Sequence, residues 1–148
     1  MANIVFNIAL GRVAYYASLP ATNDALIAVP IETSGIVGDA TMRDYDDLAT
    51  LLAGASNEQT TMGRKTLASV TVTVDDTNDR VAIDAADITW TAATGNAISA
   101  LVICYDPDTT TGTDSDLIPL SKHDFAITPD GSDVTATVAD LIRATSAA

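Results

Sequence analysis

The sequence has little of the chemistry from which most enzymes and metal proteins are built. Its 148 residues include one cysteine, Cys104, one histidine, His123, and one tryptophan, Trp90, and aromatic residues make up only 5%. A single thiol excludes an intrachain disulfide. One thiol and one imidazole do not make a Cys/His zinc site, so any bound metal would take oxygen ligands. Positive charge is equally scarce: seven Lys plus Arg against twenty Asp plus Glu leave a formal net charge of −13. Such a chain lacks the cationic footprint that gains from counterion release on phosphate backbones, which argues against nucleic acid as a partner. Anionic membrane surfaces repel it for the same reason. The longest nearly apolar run, residues 97–105, is far too short to span a bilayer. The opening residues 1–7 carry no basic segment and no continuous apolar stretch, and no Asn-x-Ser/Thr sequon occurs, so synthesis in a cytoplasm without export is expected.

Apolar residues, by contrast, are plentiful at 47%, enough for one globular domain with its own core. The carboxylates are almost all Asp, with Glu only at Glu32 and Glu58, and Thr is abundant. Asp and Thr are poor helix formers that suit turns and strand faces, so a mainly β fold rich in turns is expected. Alternation supports this. Ile4, Phe6, Ile8 and Leu10 have the two-residue period of an N-terminal strand or arm, which residues 13–18 would extend. Residues 26–31 form an apolar run that Pro30 would confine to an edge or an irregular strand. Val70, Val72 and Val74 alternate with Thr, turn at 75–78 and resume at Val81 and Ile83, which reads as a hairpin. Ile88 and Trp90 make an inward pair. Residues 98–105 read as a central, doubly covered strand with Cys104 as an inert small apolar residue. Residues 117–120, 125–128 and 134–138 close the series. The one helix expected, about 44–53, would be capped by Asp44 and stopped by Gly54. The fold class is therefore an antiparallel β-sandwich or barrel with one short helix and an extended N-terminal strand or arm. Within this single domain, residues 1–65 are expected as the N-terminal strand or arm, an irregular layer and the short helix, 66–142 as the antiparallel β region and 143–148 as a tail.

No nucleophile elbow, Walker loop, dinucleotide fingerprint or zinc spacing is present. The sole candidate for base chemistry is His123 beside Asp124. In an extended segment these neighbours point to opposite faces, so Asp124 would not orient the imidazole, and the reading of a small hydrolase is remote. A Cys104–His123 pair fares no better, since an apolar run suppresses thiol reactivity. The acidic loop with Asp106, Asp108, Asp114 and Asp116 could offer oxygens to calcium, but its glycine and terminal residue miss the EF-hand positions, so a plain hairpin tip is the simpler reading. No catalytic residue and no cofactor is expected. Arg43, Arg64 and Lys65 concentrate what positive charge there is. Together with the N-terminal strand residues Asn3, Val5 and Asn7 they are the candidates for partner binding, against the plainer reading that the arginines pair internally with surplus Asp.

Four of these segments also carry a resemblance: 89–98 (TWTAATGNAI), 100–108 (ALVICYDPD), 116–125 (DLIPLSKHDF) and 129–135 (PDGSDVT). With the stretch 4–16, they resemble small virion structural proteins of tailed bacteriophages, particularly those infecting actinobacteria. The nearest role in that group is a capsid decoration, or cement, protein on the outside of the head. The resemblance implies binding to the major capsid protein, a homo-oligomer such as a trimer at a local three-fold axis, and no enzymatic activity. A tail-tube, tail-tip or fibre component is the alternative within the same group. Thirteen net negative charges favour an external position over one facing packaged DNA.

Overall fold

The computed structural model describes residues 2–54 and 56–146. In chain order the elements are strand β1 (Ile4–Val5), a 3-10 turn (Asn7–Ala9), helix α1 (Val13–Ser18), β2 (Ala25–Glu32), α2 (Asp39–Met42), α3 (Leu48–Ala53), β3 (Lys65–Thr66), β4 (Thr71–Asp75), β5 (Arg80–Asp84), β6 (Ile88–Trp90), β7 (Ile98–Asp106), β8 (Ile118–Ile127), β9 (Val134–Ala136) and β10 (Ile142–Thr145). They form three antiparallel sheets, ordered β1-β8-β7-β2-β3, β10-β5-β4 and β6-β9. The fold is mainly β, as expected. No closed barrel forms among the described residues.

The five-stranded sheet is covered on both faces, and the alternation along β2 and β7 separates the two cores. Leu26 and Ala28 of β2, with Leu101, Ile103 and Tyr105 of β7, face one cluster, which continues into Ile83, Ile88, Trp90 and Val134 of the small sheets and Ala17 of α1. Ala25, Ile27 and Val29, with Val102 and Cys104, face the other, closed by Phe6, Met42, Leu48 and Leu51 from the helical side. Because both faces are buried, these strands need no polar face, which explains the nearly continuous apolar reading of 98–105.

Several expectations are corrected. The N-terminal strand is only two residues long: Phe6 turns into the second core, its N–H donating to the Leu120 carbonyl, and the chain leaves the sheet edge. Residues 13–18, expected to extend the pairing, are helical, since Val13, Ala14 and Ala17 share one side that packs on the first core. The helix expected at 44–53 begins only at Leu48. Its cap is Asp47, not Asp44, and the Asp47 carboxylate accepts the Thr50 N–H at 2.7 Å. Three short α-helices stand where one was expected. β2 is interior although it contains Pro30. The Pro30 carbonyl accepts from the Gln59 N–H, so the residue's missing donor faces the loop at 57–59 and not the ladder with β7. Where 117–120 and 125–128 were expected as separate segments, Ile118–Ile127 form one long strand. Finally, Ile142–Thr145 pair with β5, so residues 143–145 of the expected tail are strand; residues 147–148 of that tail lie outside the described residues.

A buried amide fastens the loops at one end of the sheet. Gln59, 1% exposed, donates Nε2 to the carbonyls of Thr94 and Asn96 and accepts the N–H groups of Thr61 and Met62 on Oε1. Gly95, at φ +111°, leaves room for it: a Cβ there would stand 2.1 Å from Gln59 Nε2.

Candidate functional site

The chemistry-bearing residues of β8 are sorted by one irregularity. Cys104 is opposite Pro119 and Ile103 is opposite Ser121, so Leu120 is an extra residue, a bulge that reverses the side-chain phase of everything after it. Lys122 consequently stands opposite Val102, on the helical side, while Ser121 and His123 stand opposite Ile103 and Leu101, on the side of the small sheets.

On the helical side Lys122 is completely buried, 0% exposed, and its Nζ lies 2.8 Å from Asp39 Oδ1 of α2 and 2.8 Å from Asp124 Oδ1 two residues along β8. The other Asp39 oxygen accepts the Ala2 N–H at 2.7 Å, and Asn3 Oδ1 accepts the Asp124 N–H at 2.8 Å. The Lys122 ammonium beside it, together with the Ala2 N–H, holds the Asp39 carboxyl below the usual carboxylate range. This cluster therefore joins α2, β8 and the start of the chain by charge-assisted bonds. Asp124 faces Lys122 and does not orient His123, as the strand alternation required.

On the opposite face Ser121 Oγ and His123 Nε2 are 2.9 Å apart, a hydroxyl–imidazole pair that the sequence reading missed. Its signal was the i, i+2 spacing in a strand. Burial and the neighbouring Lys122 charge push the His123 pKa down, so the ring is neutral near pH 7. His123 borders a groove of about 200 Å3 that includes Asn3, Asp124, Phe125 and Asp140, and both members of the pair line a second of about 180 Å3 with Asn3 and Leu141. A serine beside a neutral imidazole is the beginning of acyl-transfer chemistry, but Ser121 is only 2% exposed and among the described residues no carboxylate is hydrogen-bonded to the ring. The arrangement instead ties adjacent positions of β8 beneath the C-terminal segment. A pH dependence follows. With the folded-state pKa lowered, the unfolded chain takes the proton more readily, so stability should fall as pH drops below about 6.5, the ordinary value, toward the folded-state pKa. Urea melts from pH 7.5 to 5 should show this slope, and it should flatten in His123→Gln.

The basic candidates are mostly engaged. Arg64 donates Nε and Nη2 to the two Glu58 oxygens at 2.8 and 2.7 Å, and Nη1 and Nη2 to the two Asp114 oxygens at 2.6 and 3.0 Å. This double fork ties the 58–64 loop to the acidic loop 50 residues away and pushes the Arg64 pKa further up. The group is about one third exposed, so solvent screening limits the double pair; Arg64→Ala should lower stability by about 1 kcal/mol in chemical denaturation. Arg43 is exposed, its Nε donating to the Asp39 carbonyl, and Lys65 begins β3 half-buried with no ion pair among the described residues. Val5 is half-buried against the first core, and Asn7 Nδ2 donates to Asp44 Oδ1 at 2.6 Å.

The four aspartates weighed for calcium do not converge. Asp106 accepts the Asp108 N–H; Asp108 accepts Thr110 and Thr111, whose hydroxyls and N–H groups hold its pKa far down; Asp114 is on Arg64; Asp116 accepts Thr113. Among the described residues no group of three or more His, Cys, Asp or Glu side chains is placed to share a metal ion. Cys104 is fully buried, and desolvation raises its pKa above the ordinary thiol value, so it is unreactive. Comparison of the chain with protein-family models, with curated proteins and with solved structures finds no match.

Proposed function

We propose that the chain is a non-enzymatic structural protein of a tailed-phage virion that binds the outer surface of the major capsid protein shell and stabilises the head. The observation that carries this reading is where the resembling segments fall. Stretches 89–98, 100–108, 116–125 and 129–135 supply β6, β7, the first eight positions of β8 and the entry to β9, so the likeness follows the load-carrying framework and not a reactive site. The distribution of charge supports the same reading. Asp106, Asp108 and Asp116 of the acidic loop and Asp75 of the 75–79 turn hold local turns at the surface, which suits an outward face and opposes one turned to DNA. The small sheets stacked on the five-stranded sheet read as an irregular sandwich, an architecture with sheet edges available to neighbours. A symmetric homo-oligomer on the head lattice and assembly from a pool in the host cytoplasm belong to this proposal.

Empty heads assembled from the major capsid protein test it. Mixed with the purified chain and sedimented, they should carry hundreds of copies, visible by cryo-microscopy on the outer lattice. Binding to tails, or a few copies per particle, would overturn the assignment in favour of the tail.

A further inference from the structure

β4 ends the three-stranded sheet, and its outer side pairs with nothing among the described residues. Sheet edges of this kind are normally blunted by lysine, proline or an inward charge, because their unpaired N–H and C=O groups are a template for another strand. Residues 66–74 contain none of these devices. Instead residues 70–74 read Val-Thr-Val-Thr-Val, the same sequence in both directions. Val70 and Val72 lie against the first core, but Val74, on the same side of the strand, is 71% exposed. Among the described residues the other large apolar side chains left exposed are Leu10 and Tyr15, each 60% exposed, at the approach to α1 and on it, and α1 packs against β4.

We infer that β4 pairs antiparallel with β4 of a second copy of this chain across a two-fold axis, joining the two small sheets into one of six strands. The palindrome selects the occupant. With Val72 opposite Val72, Thr71 meets Thr73 and Val70 meets Val74, so valines stay on the core face, threonines stay on the other, and no charge is opposite a charge. The next position outward, Ser69, lies outside β4 at φ +54°, so the regular pairing ends there. Val74 gains apolar neighbours from the partner strand, and α1 of each copy is carried toward the axis with Tyr15. Because each copy bears −13, association should tighten as salt rises and screens the long-range repulsion. The inference rests on the strand alone and stands whether or not the chain belongs to a virion.

Sedimentation equilibrium of the full chain, at low and high salt, tests it with two variants. The wild type should form a dimer that strengthens with salt. Val74→Lys, at a side chain already in solvent, should keep the melting temperature yet weaken the dimer by roughly tenfold or more. Val72→Cys should cross-link to a covalent dimer under mild oxidation, against a silent background because Cys104 is buried. A chain that stays monomeric at high concentration and high salt overturns the proposal. So does a dimer that Val74→Lys leaves unchanged.

Discussion

Lys122→Ala is expected to cost about 3–5 kcal/mol, because removing one partner of a buried ionic cluster strands the others. The ammonium is 0% exposed and bonds two carboxylates, Asp39 and Asp124, whose side chains are 19% and 38% exposed. These can be partly rehydrated, which places the loss toward the lower end of that range. Lys122→Met, which keeps the stem against β7 and α2, should cost less. Adding Asp39→Asn to it should recover part of the loss, since the stranded charge is then gone. The cluster also sets an acid limit. Asp39 is held below its ordinary value of 3.8, so the stability it contributes is present above that pH and is lost as pH falls through the lower folded-state value. Urea titrations at pH 7 and at pH 3 should show the difference between wild type and Lys122→Met shrinking in acid. An undiminished difference would mean that the lysine acts through its hydrocarbon stem alone.

Trp90→Ala is expected to cost about 3–5 kcal/mol, the range for deleting a fully buried aromatic side chain. Trp90 is 1% exposed in β6, opposite Val134, and its ring helps close the core between the five-stranded sheet and the small sheets. Its Nε1–H also donates to the Gly63 carbonyl at 2.9 Å, in the loop that Gln59 fastens. Trp90→Phe separates the two roles: it keeps most of the apolar contact but removes the donor, and should cost about 1–2 kcal/mol. Thermal melts should therefore rank wild type above Trp90→Phe above Trp90→Ala. If Trp90→Phe falls as far as Trp90→Ala, the bond to the 59–63 loop is what holds this end of the sheet.

Where a strand's own period is decisive, the sequence was legible. The hairpin of β4 and β5, the inward pair Ile88 and Trp90, and the doubly buried β7 with its inert Cys104 were all recognisable, because a covered face demands apolar residues at fixed spacing. The N-terminal alternation misled because Ile4, Phe6 and Ile8 all lie against the second core although only Ile4 is in a strand. Ile4 reaches that core from β1, while Phe6 and Ile8 reach it after the chain has left the strand. Arg64 was correctly weighed as an internal partner of surplus Asp, but its two partners, Glu58 and Asp114, were not nameable, since one of them lies 50 residues away. β10 escaped notice because four residues ending in Arg-Ala-Thr carry no strand signal without the waiting edge of β5.

The scarcities on which the sequence opens were decisive by themselves. One thiol and one imidazole exclude an intrachain disulfide and a Cys/His zinc site within this chain in any conformation, because composition does not change on folding. Which of the few polar residues meet was decided only by the tertiary structure. A single extra residue, Leu120, turns Lys122 toward the helices and His123 toward the small sheets; without it the two would exchange faces. A bulge depends on how one strand is paired with its neighbour, so its effect belongs to the sheet and is not written in the strand's own sequence.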